Sequence, residues 1–198
     1  VSYQEMAEMT FWGAKVLHYR SVELALREQV PIYVGPAHSF SDGTWIRVKG
    51  SQMFEKVRLL SLNSFEKVLR LQSHKTNLTS AFQELEEKWE GAQISSPQFL
   101  SVEQQESRCE VWVTGPAEVL QSIEAWIPSQ KEWSLAGGDW ASVTATCAGA
   151  TSAPLAAKLF AALEKDGLAP VSCRWSALSF NFLVPAQDRV KTVQSLHA

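Results

Sequence analysis

Cysteine is scarce in this sequence, and its three copies, Cys109, Cys147 and Cys173, fall at spacings that pair with nothing. An odd, scattered set argues against a disulfide framework or a CxxC redox motif and for buried free thiols in a reducing cytosol. Histidine is equally thin. His18, His38, His74 and His197 lack the i, i+4 spacing and the neighbouring cysteines that a zinc site uses, so no metal site is expected. An excess of one charge is missing as well: 18 Lys and Arg against 21 Asp and Glu leave a net charge of −3 and a pI near 5.8. That balance disfavours nucleic acid and anionic membranes as partners. No window approaches the roughly 18 uninterrupted apolar residues of a spanning helix, and no basic, then apolar, leader opens the chain. A phosphate loop is lacking too, because Gly137-Gly138-Asp139 is followed by no Lys-Ser/Thr and reads as a plain turn. No Ser/His/Asp or Cys/His constellation emerges, so no catalytic residue is assigned.

What is there is an ordinary globular composition. Of 198 residues, 45% are hydrophobic and 20% charged, enough for one medium domain or two small ones. Eight tryptophans are many for this length, but their scatter suits core and interface anchors better than a stacking platform. Val1 stands where an initiator Met would, so the chain is expected to be part of a longer one.

The pattern begins with a capping box, Ser2-x-x-Glu5, opening a helix with apolar residues at Met6, Met9, Ala14 and Leu17. Gly13 interrupts it and marks a break or a close backbone approach. His18 is expected on the inward side. A helix over Ser21–Gln29, a strand at Ile32–Val34 and a breaker-rich linker over 35–44 follow. Val57–Leu62 and Val68–Leu71 flank Asn63-Ser64 as a hairpin. A helix is expected over Leu78–Trp89, a strand starting at Gln93-Ile94-Ser95, a polar spacer over Ser101–Ser107, and a strand at Cys109–Val113 with one wet face. Then come a helix at Pro116–Trp126, a strand at Ala141–Thr146, a helix at Pro154–Lys165, strands at Leu168–Cys173 and Ser179–Val184, and a helix at Gln187–Leu196. The strand–helix–strand–strand–helix unit occurs twice, an internal duplication. The fold class is α+β, with helices on one face of mixed or antiparallel sheets.

Phe11-Trp12-Gly13-Ala14-Lys15-Val16-Leu17-His18 resembles the F-G-A-K-V-L-H signature that closes the catalytic domain of aspartate kinases. Val30-Pro31-Ile32-Tyr33-Val34-Gly35 is similar to the strand that follows it in that family. Gly149–Leu163 resembles the family's "G-M-x-S-x-P-G-V-A-A-K-L-F-x-A-L", and Phe182-Leu183-Val184-Pro185 with Gln194-Ser195-Leu196-His197 resembles the ending of lysine-sensitive, monofunctional members. The resemblance implies tandem ACT domains, ferredoxin-like βαββαβ units that sense amino acids. It divides the chain into a kinase-domain tail over 1–46, a first ACT-like domain over 47–130 and a second over 131–198, with strand 57–63 assignable to either.

The same resemblance implies the roles. The intact enzyme, a cytoplasmic protein, moves the γ-phosphate of ATP, held with Mg2+, onto the β-carboxylate of aspartate. That is the first step toward lysine, threonine and methionine. This region alone keeps little of that machinery and is expected to be inactive, with no cofactor of its own. Lys15 and Val16 match residues that contact nucleotide in the family; from the sequence alone Lys15 reads as a solvated helix lysine, and the motif reverses that reading for the intact enzyme. The effector site implied by the family lies where the first strand of the unit turns into its first helix, where helix N–H groups receive a carboxylate. Here that gives Ser73, Thr76, Asn77 and Leu78, with Gln93 at the position of the family's ammonium-binding acid. A neutral Gln93 forgoes charge-assisted pairing, about twice as strong as a neutral hydrogen bond. Two readings stay open: a homodimerising regulatory region that binds lysine, threonine or another amino acid, and a structural dimerisation module with a degenerate site. Val111-Trp112-Val113 and Val68–Leu71 are the strands considered for the joined sheet.

Overall fold

The computed structural model describes residues 1–38, 42–48, 58–75, 77–105, 108–148 and 151–197. Its elements run α1 (Tyr3–Phe11), α2 (Tyr19–Glu28), β1 (Ile32–Val34), β2 (Thr44–Ile46), β3 (Arg58–Ser73), α3 (Leu78–Gly91), β4 (Gln98–Gln105), β5 (Arg108–Thr114), α4 (Ala117–Trp126), β6 (Trp133–Leu135), β7 (Trp140–Ala148), α5 (Ala153–Lys165), β8 (Ser172–Trp175), β9 (Ser179–Pro185) and α6 (Arg189–His197). The chain forms two compact units, one of Glu66–Trp140 and one of Val1–Phe65 with Ala141–Ala198.

In the unit of Glu66–Trp140, β5 pairs antiparallel with both β3 and β4, and the short β6 pairs with the last three residues of β3. Alternate residues of the strands face the helices, as a period of two requires. Leu69, Leu71, Cys109, Val111 and Val113 meet Ala81, Leu85 and Trp89 of α3 and Leu120 and Ile123 of α4. The opposite face, expected to be wet at β5, is buried instead. Glu110 and Trp112 are only 3% and 2% exposed. Glu110 is tolerated there because it is surrounded by donors. Arg70 grips it with two hydrogen bonds of 2.9 and 3.0 Å, Gln72 Nε2 donates at 2.8 Å, and Trp112 Nε1 donates at 2.6 Å. The Arg70 guanidinium also lies 5.1 Å from the Trp140 ring centroid.

In the other unit, β7 and β9 are neighbours, with β8 outside β9 and β3 beside β7. Val143, Ala145 and Cys147 pack with Phe180, Phe182 and Val184 beneath Leu159 and Leu163 of α5 and Leu196 of α6. A separate cluster of Tyr3, Met6, Met9, Val22, Ala25 and Ile46 holds α1, α2 and β2 together. The Ser2/Glu5 capping box forms as expected.

Several expectations change. No hairpin interrupts residues 58–73, which form one 16-residue strand. Asn63 Nδ2 donates to Ser61 Oγ, and Ser64 Oγ accepts from Arg189 at 2.9 Å, so both read as strand residues with side-chain partners rather than turn residues. Val57 lies outside the described residues. The polar stretch from Ser101 onward is strand β4 itself, not a spacer, and Gln93-Ile94-Ser95 precedes it as loop. Polarity misled because, among the described residues, β4 has a neighbour on one side only, and an edge strand tolerates polar side chains. The strand expected over Leu168–Cys173 is β8, which begins at Ser172. The first helix stops at Phe11 rather than running to Leu17. Gly13 takes φ +100°, and a Cβ there would sit 3.1 Å from Phe65 Cε1, so the glycine provides both the break and the close approach.

Candidate functional site

The junction of β3 and α3 is the place to look for a ligand carboxylate. Asn77 caps α3, its Oδ1 accepting from Ser80 N at 3.3 Å, which leaves the earlier amides of the first turn to other acceptors. Ser73 is buried, and its Oγ accepts from Lys75 N at 3.2 Å. Leu78 is half-buried against the core, and Thr76 lies outside the described residues. Ser73, Asn77 and Leu78 thus lie along the connection from β3 into α3.

Gln93 is not. It follows the C-terminus of α3, and a helix of 14 residues spans about 21 Å. The register agrees: Ser73 sits opposite Cys109, and Cys109 opposite Gln104, so the β4 residue on the Ser73 row is Gln104. Gln93 instead ends the helix. Its N–H donates to Glu90 O at 3.0 Å, Ile94 N–H reaches back to Trp89 O at 2.8 Å, and Gln93 adopts φ +57°. This is the Schellman arrangement with a non-glycine residue in the left-handed position.

A feature the sequence reading missed is Lys75. Its ammonium pairs with Glu84 one helical face along α3, and Lys88 pairs with the same carboxylate. The hydrogen bond to Glu84 raises the Lys75 pKa, and the hydrogen bonds from Lys75 and Lys88 lower that of Glu84. The only signal in the sequence was the i, i+4 spacing of Glu84 and Lys88.

The second copy of the junction, between β7 and α5, is furnished differently. Ser152 caps α5, accepting from Leu155 N at 3.4 Å. Thr151 Oγ1 accepts from Trp175 Nε1 at 2.5 Å and donates to Ser176 O at 2.6 Å, so its hydroxyl is already committed. From the same β8–β9 turn, Ser176 Oγ donates to Glu8 Oε1 at 2.9 Å and Ser179 Oγ donates to that oxygen as well. Trp12 Nε1 donates to it at 3.0 Å. Glu8 thereby ties α1 to this turn, a contact no local pattern could signal.

Lys15 and Val16 lie in the turn between α1 and α2, not on a helix, and both are exposed. His18 is also exposed rather than inward-facing; its Nδ1 accepts from Arg20 N at 3.3 Å and caps α2. The thiols are unpaired, and burial pushes Cys147 and Cys173 up to about 11, which makes them poor nucleophiles.

Comparison with known proteins adds to this geometry. No protein-family model matches the chain. A stretch of 51 residues is 53% identical to the aspartokinase of Mycolicibacterium smegmatis, covering 26% of this chain and 12% of that protein. Among solved structures, E. coli aspartokinase III in complex with aspartate and ADP superposes with a TM-score of 0.72 at 23% identity, over 99% of this chain and 45% of that one. The aspartate kinase of Clostridium acetobutylicum gives 0.70 at 19% identity, over 100% of this chain and 47% of that one. The regulatory subunit of aspartate kinase from Thermus thermophilus gives 0.51 at 16% identity, over 70% of this chain and 95% of that one. The chain therefore spans somewhat less than half the length of the first two. Its α+β architecture is the tandem ACT fold of aspartokinase regulatory regions, preceded by helices that align along with it.

Proposed function

We propose that this chain is the regulatory C-terminal region of an aspartokinase, with the end of the kinase domain at its N-terminus. The observation that carries the proposal is the superposition on E. coli aspartokinase III over 99% of the chain, joined to the 53% identity over 51 residues with a curated aspartokinase. The surface around α2 agrees with it. Val16, Leu24, Val30, Trp45 and Val48 are each at least half exposed, an apolar area that further kinase-domain polypeptide would cover. In the intact enzyme, ATP and Mg2+ bound by that polypeptide would supply the phosphoryl chemistry. Lys15, exposed in its turn, would then place an ammonium near the nucleotide.

The regulatory part of the proposal is a homodimer with an amino-acid effector. The strands first considered for the joined sheet, β3 and β5, are interior. Among the described residues of the unit of Glu66–Trp140, β4 and the three-residue β6 each pair on one side, and β4 is the longer edge, so the second copy would add there. An effector carboxylate would meet the first turn of α3 beside Ser73 and Asn77. A specific observation also favours the plainer reading, a dimerising module that senses nothing: Lys75 is engaged by Glu84, and Gln93 caps the far end of the helix.

Calorimetric titration with lysine, threonine, methionine and S-adenosylmethionine, run beside sedimentation, separates the two. Heat from one ligand supports sensing; four silent titrations of a dimeric chain support the structural role. The aspartokinase assignment itself is tested by expressing the full gene and measuring aspartate-dependent ADP formation. Its absence from a well-folded product would sink the assignment.

A further inference from the structure

The C-terminal half of α3 and the start of β4 enclose a cavity of about 360 Å³, within the size range of small-molecule sites. It belongs wholly to the unit of Glu66–Trp140 and lies at the other end of α3 from Ser73 and Asn77. Its floor is apolar and aromatic. Phe99 packs against Phe82 and Trp89 with ring centroids 5.5 and 5.9 Å apart, and Leu85 lies beneath. Its rim is acidic: Glu86 and Glu90, both exposed, line the same space.

Three independent features favour a cation there. Glu86 and Glu90 are like charges at i, i+4, an arrangement that repels. Among the described residues neither carboxylate has a hydrogen-bond or ion-pair partner. The C-terminus of a helix carries the negative end of its dipole and is normally matched by a basic residue. The basic residue in the last turn of α3 is Lys88, and it is drawn away to Glu84. Finally, the faces of Phe82, Trp89 and Phe99 suit a cation with an apolar body.

We propose that this cavity binds an organic ammonium carrying a short aromatic or aliphatic body, with the ring cluster receiving the body and Glu86 and Glu90 receiving the ammonium. The inference rests on the cavity and its charges and stands apart from the aspartokinase assignment.

The test is calorimetric titration of the 198-residue chain at low ionic strength with phenethylammonium chloride and with its neutral counterpart, 2-phenylethanol. The ammonium binds about tenfold more tightly than the alcohol, a charge-assisted contact being the difference between them. The double variant Glu86→Gln/Glu90→Gln loses that preference, whereas Glu118→Gln, which removes an exposed carboxylate from α4, keeps it. Ser96→Trp, filling the mouth, abolishes binding of both probes. Near-UV circular dichroism confirms that each variant is folded; the two glutamates are exposed and mutually repulsive, so their neutralisation leaves the fold intact. Equal affinity for the two probes, a preference unmoved by the double variant, or no uptake of either probe would overturn the proposal. Uptake that vanishes as the chain self-associates would overturn it too, because a second copy would then be the occupant.

Discussion

Gln93 shows how a single side chain changes meaning with its backbone. By the family resemblance it takes the position of a ligand-binding acid; folded, it holds φ +57° and closes α3. Left-handed geometry costs a non-glycine residue on the order of 1 kcal/mol. Gln93→Gly is therefore expected to raise stability by about 0.5–1 kcal/mol in a urea melt, with amino-acid titrations unchanged. A loss of effector binding in that variant would restore Gln93 to the site. Glu110 is the second case. Burial alone would push its carboxyl up, but hydrogen bonds from Trp112, Gln72 and Arg70, with the Arg70 charge, outweigh it and leave the pKa below the ordinary glutamate value of 4.5. A depressed folded-state pKa gives stability that is present above the unfolded value and lost as pH falls through the folded one. Unfolding should thus become easier as the pH falls below the ordinary glutamate value of 4.5, and Glu110→Gln should flatten that dependence. At neutral pH the same variant is expected to cost about 3–5 kcal/mol, because it strands the Arg70 charge.

At the scale of elements, most helices were legible because each carries its own signal. The capping box of α1, the Asn77 cap of α3 and the Pro154 entry of α5 are local chemistry with local consequences. Strands were less legible because what separates a strand from a spacer is its neighbour. Asn63-Ser64 has turn composition, yet β3 runs through it. Ser101-Val102-Glu103-Gln104 has loop composition, yet pairs with β5 across a bulge between Phe99 and Ser101. The identity of the edge follows from the same pairing. On the proposed dimer through β4, Val102→Lys places a charge on that edge and is expected to weaken self-association by about tenfold or more in sedimentation. Val102 is 37% exposed, so far-UV circular dichroism should not change.

Across the whole molecule, burial is divided between clusters that draw on different stretches of chain. Leu71 is fully buried among residues of α3, β5 and α4, and Phe182 among those of β7 and α5. Leu71→Ala is expected to cost about 2–5 kcal/mol and Phe182→Ala about 3–5 kcal/mol. Hydrogen exchange should report the first loss within Glu66–Trp140 and the second within Ala141–Ala198. Loss of protection spread evenly over the chain by either variant would contradict that division.

By itself the sequence determined the α+β class, the duplicated strand–helix–strand–strand–helix order and the helix starts, because apolar period and capping residues act over a few positions. The tertiary structure alone decided which strand is an edge, that the second face of β5 is covered, and that Ser73 and Gln93 stand at opposite ends of α3. Those facts depend on pairing between residues 36 to 64 positions apart, such as Leu71 with Val111 and with Leu135, and no local propensity encodes a partner that distant.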